Sequence, residues 1–309
     1  MLTPIAIGID VGGTQIKAGM MTKEAQAVRT DVFPTEASAG REALLGKLSD
    51  LLSHYRELAR RNGWSITAAG VGTAGFVDIH EGSVPFASDN LPGWSGVRLR
   101  DELEEASGLP VVVSNDAHAL AVGEAWAGAG RGLTDFLCIT LGTGIGGCRI
   151  VNGRPDYGHS GYAGGFGHQI IVYGGNPCTC GGSGCWESYA SVTGLLRLAE
   201  EAGLSGASPE RLFADARSGR ADAAALIRVY IGYVAAGLFN LVYAYNPQAI
   251  IIGGAVTAQG DYLLDPIRRE LNDKLMPVYR AVQIIPAELG SSAGWMGAAQ
   301  LAFQSGLDR

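Results

Sequence analysis

Three thiols, Cys178, Cys180 and Cys185, stand within a few residues of one another, with His168 a short way upstream. Thiolates and an imidazole are the ligands Zn²⁺ prefers, and four of them complete a closed tetrahedral site. Between the second and third thiols the chain reads Gly181-Gly182-Ser183-Gly184, which lets a short loop fold back on one ion. A chance cluster of free thiols is the competing reading. A set of four protein ligands leaves no position for a reactive water, so the metal role expected of His168, Cys178, Cys180 and Cys185 is structural. Cys138 and Cys148 fall in apolar stretches and read as small buried side chains.

A second kind of chemistry is written in glycine. Asp10-Val11-Gly12-Gly13-Thr14 ends an apolar run. Glycine turns let backbone N–H groups approach a phosphate, Thr14 adds a hydroxyl, and Asp10 can hold Mg²⁺ through water. Lys17 follows on the next strand and is counted with this nucleotide set. Gly142-Thr143-Gly144 repeats the device, and Gly253-Gly254 stands at a strand end before a helix, where a nucleotide could meet a helix start. Any one of these taken alone reads sooner as an ordinary turn, but three at the ends of apolar strands point to a nucleotide. None carries the Gly-Lys-Ser/Thr ending of a P-loop. Asn115-Asp116 follows a short apolar strand. On its own Asp116 reads as a helix cap or as a general base. Glu187, two residues after the last thiol, reads as a first-turn carboxylate or as a site residue.

These groups must be positioned by an alternation of strands and helices. Apolar strands are expected over 5–9, 16–21, 27–33, 68–71, 111–113, 136–140, 146–151, 249–252 and 282–286. Helical spacing appears over 41–61, 97–107, 117–127, from 187 onward, and over 221–245, 262–275 and 293–303. Asp116 is expected near the N-cap of the helix over 117–127. Residues 157–183 are rich in Gly and Cys and show little regular pattern. The alternation indicates an α/β protein. The strand–turn–strand at Asp10–Thr14 is echoed at Gly142–Gly144, which suggests two related domains. They are expected at 1–117, completed by the C-terminal helix over 293–309, and at 118–292, which carries the thiol loop.

The chain has 309 residues, 47% hydrophobic and 17% charged, enough for two domains with sizeable cores. Its net charge of −7, with no basic stripe, argues against nucleic acid as a partner. No apolar run reads as a membrane span, and the N-terminus has no charged region before its apolar stretch, so no signal peptide is expected. An odd cysteine count, five, suits a metal in a reducing cytoplasm better than disulfides.

Gly167-His168, followed by Cys178-Thr179-Cys180-Gly181-Gly182-Ser183-Gly184-Cys185-Trp186-Glu187, resembles the signature of the ROK family of bacterial sugar kinases and related repressors. Asp10–Thr14, Asn115-Asp116, Gly142–Gly144, Gly253-Gly254 and the stretch from Ala287 to Gly297 fall in that family's order. The resemblance implies an actin-like ATPase fold of two ribonuclease-H-like domains with a cleft between them, frequently as a homodimer. It implies that Asp116 is the catalytic base and that Asn115, His168 and Glu187, with Gly75 beside them, bind the sugar. His168 would then use one ring nitrogen for zinc and the other for sugar. The implied activity is ATP- and Mg²⁺-dependent phosphorylation of a hexose, glucose or glucose-like, at its C6 hydroxyl. Family repressors carry an additional N-terminal DNA-binding domain, and this sequence begins at the first strand of the kinase core, which favours the enzyme.

Three positions depart from the family's usual pattern. Ala163-Gly164-Gly165-Phe166-Gly167-His168 has Gly165 where a sugar-binding Glu is usual. Thr73-Ala74 replaces a usual x-Pro, and His118 stands where Asn is common. The missing carboxylate opens room beside the sugar, which makes an N-acetylmannosamine or N-acetylglucosamine kinase the alternative. A sugar-responsive binding or regulatory protein is the non-enzyme alternative.

Overall fold

Ile5, Ala6, Ile7, Ile9 and Val11 are all fully buried, so β1 (Thr3–Val11) is apolar on both faces and must lie inside a sheet. The structure is a computed structural model that describes residues 2–88 and 90–305. β2 (Gln15–Thr22) and β3 (Ala27–Pro34) follow as antiparallel neighbours. α1 (Arg41–Asn62) buries Leu44, Leu48, Leu52 and Tyr55 and stops at Gly63, whose φ of +66° ends the helix. β4 (Trp64–Thr73) returns parallel to β1. A short hairpin, β5 (Phe76–Asp78) and β6 (Ser83–Phe86), comes next, then α2 (Leu99–Ser107), β7 (Val111–Asn115) and α3 (Asp116–Ala127). The sheet order is β3-β2-β1-β4-β7.

The second sheet is built from β8 (Asp135–Leu141) and β9 (Ile145–Val151), after which β10 (Arg154–Asp156) closes a hairpin. α4 (Glu187–Ala190), α5 (Val192–Glu201), α6 (Pro209–Arg217) and α7 (Ala221–Tyr245) follow. They lead to β11 (Ala249–Gly253), α8 (Asp261–Lys274), β12 (Gln283–Pro286) and the last helix, α9 (Ala293–Ser305). β8 and β11 are parallel, as are β11 and β12, and the order β9-β8-β11-β12 repeats β2-β1-β4-β7 of the first sheet.

The chain divides into two compact units. The first holds Met1–Gly132, Ile150–Ala163 and the segment from Glu288 onward; the second holds Leu133–Arg149 and Gly164–Ala287. The first unit thus runs beyond the 117/118 boundary expected from the sequence and includes α3 whole. The segment containing α9 also belongs to it; residues 306–309 of the expected terminal helix lie outside the described residues.

In the first unit α9 lies directly on the sheet and against α3. A Cβ at Gly70 would fall 1.8 Å from Ala298 O, so the strand must be bare where the helix backbone crosses it. Glu124 of α3 is fully buried, and its carboxylate accepts N–H bonds from Ala129 (2.8 Å), Glu288 (3.1 Å) and Leu289 (2.9 Å), which ties the end of α3 to the chain entering α9. In the second unit α7 is the core helix, with Leu226, Ile227, Tyr230, Val234 and Leu238 buried. At 25 residues it is long and apolar enough to cross a bilayer, which corrects the expectation that no apolar run approaches that length; 56% of its most apolar stretch is buried inside the structure.

Candidate active site and metal loop

In the first unit, the strand register sets the site. Asp10 on β1 stands opposite Gly72 on β4, and Gly72 stands opposite Ser114 on β7, one residue before Asn115. These are the C-terminal ends of three parallel strands, where α/β sheets bind ligands. Asn115 leaves β7 and caps α3: its Oδ1 accepts from Ala117 N–H at 2.9 Å and His118 N–H at 3.3 Å. Asp116, expected near the cap, is the first helical residue, and the cap itself is Asn115. Asn115 Nδ2 donates to Gly75 O at 2.8 Å, and the Asn115 side chain also bonds the Asp116 carboxyl. The Gly75 carbonyl therefore orients Asn115.

Asp10 and Asp116 both sit deep among protein atoms while keeping some surface open to solvent. Burial, and then the Asp116 charge, raises the Asp10 pKa to about 7, with Lys17 opposing. Burial likewise raises Asp116 to about 6, against bonds from the Ala117 backbone and Asn115. Lys17 lies opposite Asp10 in the β1–β2 register.

The turn between β1 and β2 is held from outside. Gly12 N–H donates to Gln15 O at 3.0 Å, and the Thr35 hydroxyl donates to Gly12 O at 2.6 Å. The expectation that Gly12 offers its own N–H to a phosphate is corrected: that hydrogen closes the turn, and Gly13 and Thr14 are left to supply donors. The second unit repeats this arrangement. Gly142 N–H donates to Gly144 O at 3.0 Å, and the Thr193 hydroxyl donates to Thr143 O at 2.8 Å. Here too the first glycine's N–H is used in the turn. Gly253 ends β11, and Gly254 leads into a 3₁₀ turn over Ala255–Gln259, with α8 starting only at Asp261. The pair thus stands at a strand end before a helix that begins within a residue of the expected 262. Gly254 is glycine because its φ is +99° and a Cβ would lie 2.3 Å from Leu141 O.

The thiol loop gathers as its spacing suggests. The Nδ1 atom of His168 and the three thiols lie within 4.8 Å of one another, with Cys178 Sγ to His168 Nδ1 at 3.6 Å and Cys180 Sγ to Cys185 Sγ at 3.7 Å. A tetrahedron with metal–sulfur bonds of about 2.3 Å has sulfur–sulfur edges of about 3.8 Å, so these residues fit a closed tetrahedral metal. His168 turns Nδ1 to the thiols, which leaves Nε2 for another partner. Trp186, between Cys185 and Glu187, is fully buried and donates Nε1–H to Tyr233 O on α7 at 2.8 Å. Glu187 opens α4, and its Oε2 accepts from Ile145 N–H at 2.7 Å, at the exit of the Gly142–Gly144 turn. One carboxylate oxygen therefore steadies that turn, and the other is left for a ligand.

Among the departures, Gly165 is bare without a structural reason. Its φ is −68°, which any residue adopts, and a Cβ there would meet only His168 Cδ2, at 3.9 Å. Thr73 accepts the indole N–H of buried Trp94 at 2.9 Å. Thr35 and Thr193, which pin the two glycine turns, were missed by the sequence reading. Both lie outside the glycine motifs, and no local pattern marks them.

The profile of the ROK family matches residues 6–305. The chain is 37% identical to a glucokinase of Streptomyces coelicolor, over 96% of this chain and 97% of that protein. It is similar to the crystal structure of a ROK family glucokinase from Streptomyces griseus in complex with glucose and AMPPNP, at 36% identity and a TM-score of 0.81, covering 97% of this chain and 99% of that one. It is also similar to the ROK hexokinase from Thermus thermophilus, at 33% identity and a TM-score of 0.85, covering 99% and 100%. These neighbours have the actin-like ATPase fold, and the repeated strand order described above is the same architecture. With a family profile and close relatives that each span nearly its whole length, the chain belongs to the ROK family.

Proposed function

We propose that the chain transfers the γ-phosphoryl group of ATP to a hexose, glucose or a glucose-like sugar, at the C6 hydroxyl. The observation that carries this reading is the recessed carboxyl of Asp116, held at the start of α3 near pKa 6, whose charge acts on Asp10. A base with that pKa is ionised at neutral pH and still able to take a proton. The glucokinase relatives support the same reaction.

Asp116 takes the proton of the sugar hydroxyl as its oxygen attacks the γ-phosphorus. A new oxygen–phosphorus bond forms, the bond to the bridging oxygen of the β-phosphate breaks, and ADP leaves. Asn115, His168 through Nε2 and Glu187 through its uncommitted oxygen orient the sugar. Gly13, Thr14, Thr143 and Gly144 supply phosphate donors, with Lys17 and Gly253-Gly254 on the nucleotide side. Asp10 would hold a hydrated Mg²⁺, which neutralises phosphate charge. Zn²⁺ bound by His168, Cys178, Cys180 and Cys185 would fix the His168 ring and the loop leading to Glu187. The working form in this reading is a cytoplasmic homodimer, as the family resemblance implies.

A second reading, N-acetylmannosamine or N-acetylglucosamine kinase, is favoured by the open position at Gly165. ADP release measured against glucose, mannose and the two N-acetylhexosamines separates them: preference for glucose supports the first, and turnover of an N-acetylhexosamine alone supports the second. Asp116→Asn should bind sugar and nucleotide yet lose at least about a thousandfold in turnover; retention of most activity rules out the base assignment.

A further inference from the structure

His118 is the third residue of α3, two after Asp116, and only 3% exposed. Its Nε2 lies 2.7 Å from Ala163 O. A carbonyl only accepts, so Nε2 carries the proton. Burial lowers the ring's pKa, so the imidazole is neutral at pH 7 and Nδ1 holds a lone pair. That Nδ1 is buried with no partner among the described residues. Leaving a buried acceptor unpaired is unfavourable. A residue serving only to fill space would be better apolar.

The segment that His118 grips is a closed loop. Ala163 N–H donates to Tyr157 O at 3.1 Å, and the Tyr157 ring packs against the His118 ring, centroids 5.2 Å apart and nearly edge-on. One side chain on α3 thus holds both ends of residues 157–163. Gly164, Gly165, Phe166, Gly167 and His168 follow directly, and three of these five residues are glycine, so the stretch has little stiffness of its own.

We propose that His118 is a positioning residue for sugar binding: by holding Ala163 it sets, from the helix that begins with Asp116, the point where the chain departs toward His168. This rests on the proposed kinase reading. The Nε2–H bond carries the effect, and the rest of the ring is packing.

The test compares His118→Gln, whose amide nitrogen reaches about as far as Nε2, with His118→Leu, which keeps bulk and loses the donor. With the hexose that the wild type turns over fastest, H118L should raise the sugar KM by about tenfold, the loss of one ordinary hydrogen bond. Its kcat should fall less than about threefold and its ATP KM should stay unchanged. H118Q should restore most of the sugar KM. In hydrogen–deuterium exchange, amides of residues 163–168 should exchange faster in H118L than in H118Q, a readout that does not depend on the kinase reading. Wild-type sugar KM in H118L overturns the inference, and so does equal impairment of both variants, which would make the ring's shape the only contribution. If H118L fails to fold, His118→Asn replaces it: its amide is too short to reach Ala163, so parity of H118N with H118Q is the overturning result. An inactive wild type would count against the kinase reading alone, with the exchange pattern still deciding whether His118 holds the segment.

Discussion

At Asp116 a carboxyl is buried beside a second carboxyl, and the environment of the pair sets when the protein can work. Burial raises Asp116 to about 6, and burial first, then the Asp116 charge, raises Asp10 to about 7. Two groups this close titrate as a pair, so a rate that needs both ionised should rise in two overlapping steps between about pH 6 and 7 and then level off. The pH dependence of kcat/KM for the sugar measures this; a rate flat from pH 5 to 8 would mean that neither carboxyl carries the reaction. At this scale the sequence was informative where chemistry is written locally. Three thiols a few residues apart with glycines between them point to one site, and they gather there. It was uninformative where a role depends on a partner far along the chain. Asp and Asn are both good caps, so adjacent Asn115 and Asp116 could not be separated until the amide was seen bonded to Ala117 and His118. That Gly12 uses its own N–H on Gln15 follows from the turn's geometry, which two glycines leave undetermined.

One element up, the thiol loop is a segment of irregular chain fastened at few points. Between Gly164 and α4 it has one 3₁₀ turn and two isolated bridges, Ile170 with Cys185 and Pro177 with Ser183. Its anchors to the rest of the unit include Gln169 Nε2 on Gly237 O at 3.3 Å, Asn176 N–H on the Tyr189 hydroxyl at 2.7 Å, the Ser188 hydroxyl on Pro177 O at 3.1 Å, buried Trp186, and Glu187 on Ile145. Without metal, burial and the neighbouring thiols drive Cys185 up to about 12, while at Cys178 burial is outweighed by bonds from Cys180, His168 and Cys185, which bring it down to about 7. Zinc analysis should therefore find about one ion per chain. Cys180→Ser should lose it, and sugar turnover should fall at least about tenfold while the fold away from the loop persists. Full turnover in a zinc-free C180S protein would show that the loop stands without its ion. Elements with long apolar periods were legible from sequence: α7 runs over the residues its spacing marks. The β5–β6 hairpin was not, because three- and four-residue strands carry too little periodicity.

Across the whole molecule the same strand order occurs twice, and each copy places a glycine turn between its first two strands. The repeated turns made the duplication legible from sequence. The allocation of α3 and α9 was not, since both are set by contacts far apart in the chain, such as Glu124 with Glu288 and Leu289. The sheet ends that carry Asp10 and Asp116 have a global consequence. Both folded pKa values lie above the 3.8 of a free aspartate, so the fold prefers these carboxyls protonated. Their contribution to stability is then complete below about pH 4 and is lost as pH rises through about 6 and 7. Asp31 has the opposite sign, its pKa lowered first by Arg29, so its contribution is lost as pH falls toward its folded pKa; being on the surface, it is the weaker effect. The melting temperature should peak near pH 4–5, fall as pH rises to about 7 and then level off. Asp116→Asn removes one buried charge. For a carboxyl moved from 3.8 to about 6, the gain at pH 8 is at most about 3 kcal/mol. The variant should therefore melt several degrees higher than the wild type at pH 8 and nearly equal it at pH 4, while losing turnover. The same stabilisation at both pH values would trace the effect to packing, and no stabilisation at pH 8 would show that the folded protein tolerates the Asp116 charge without cost.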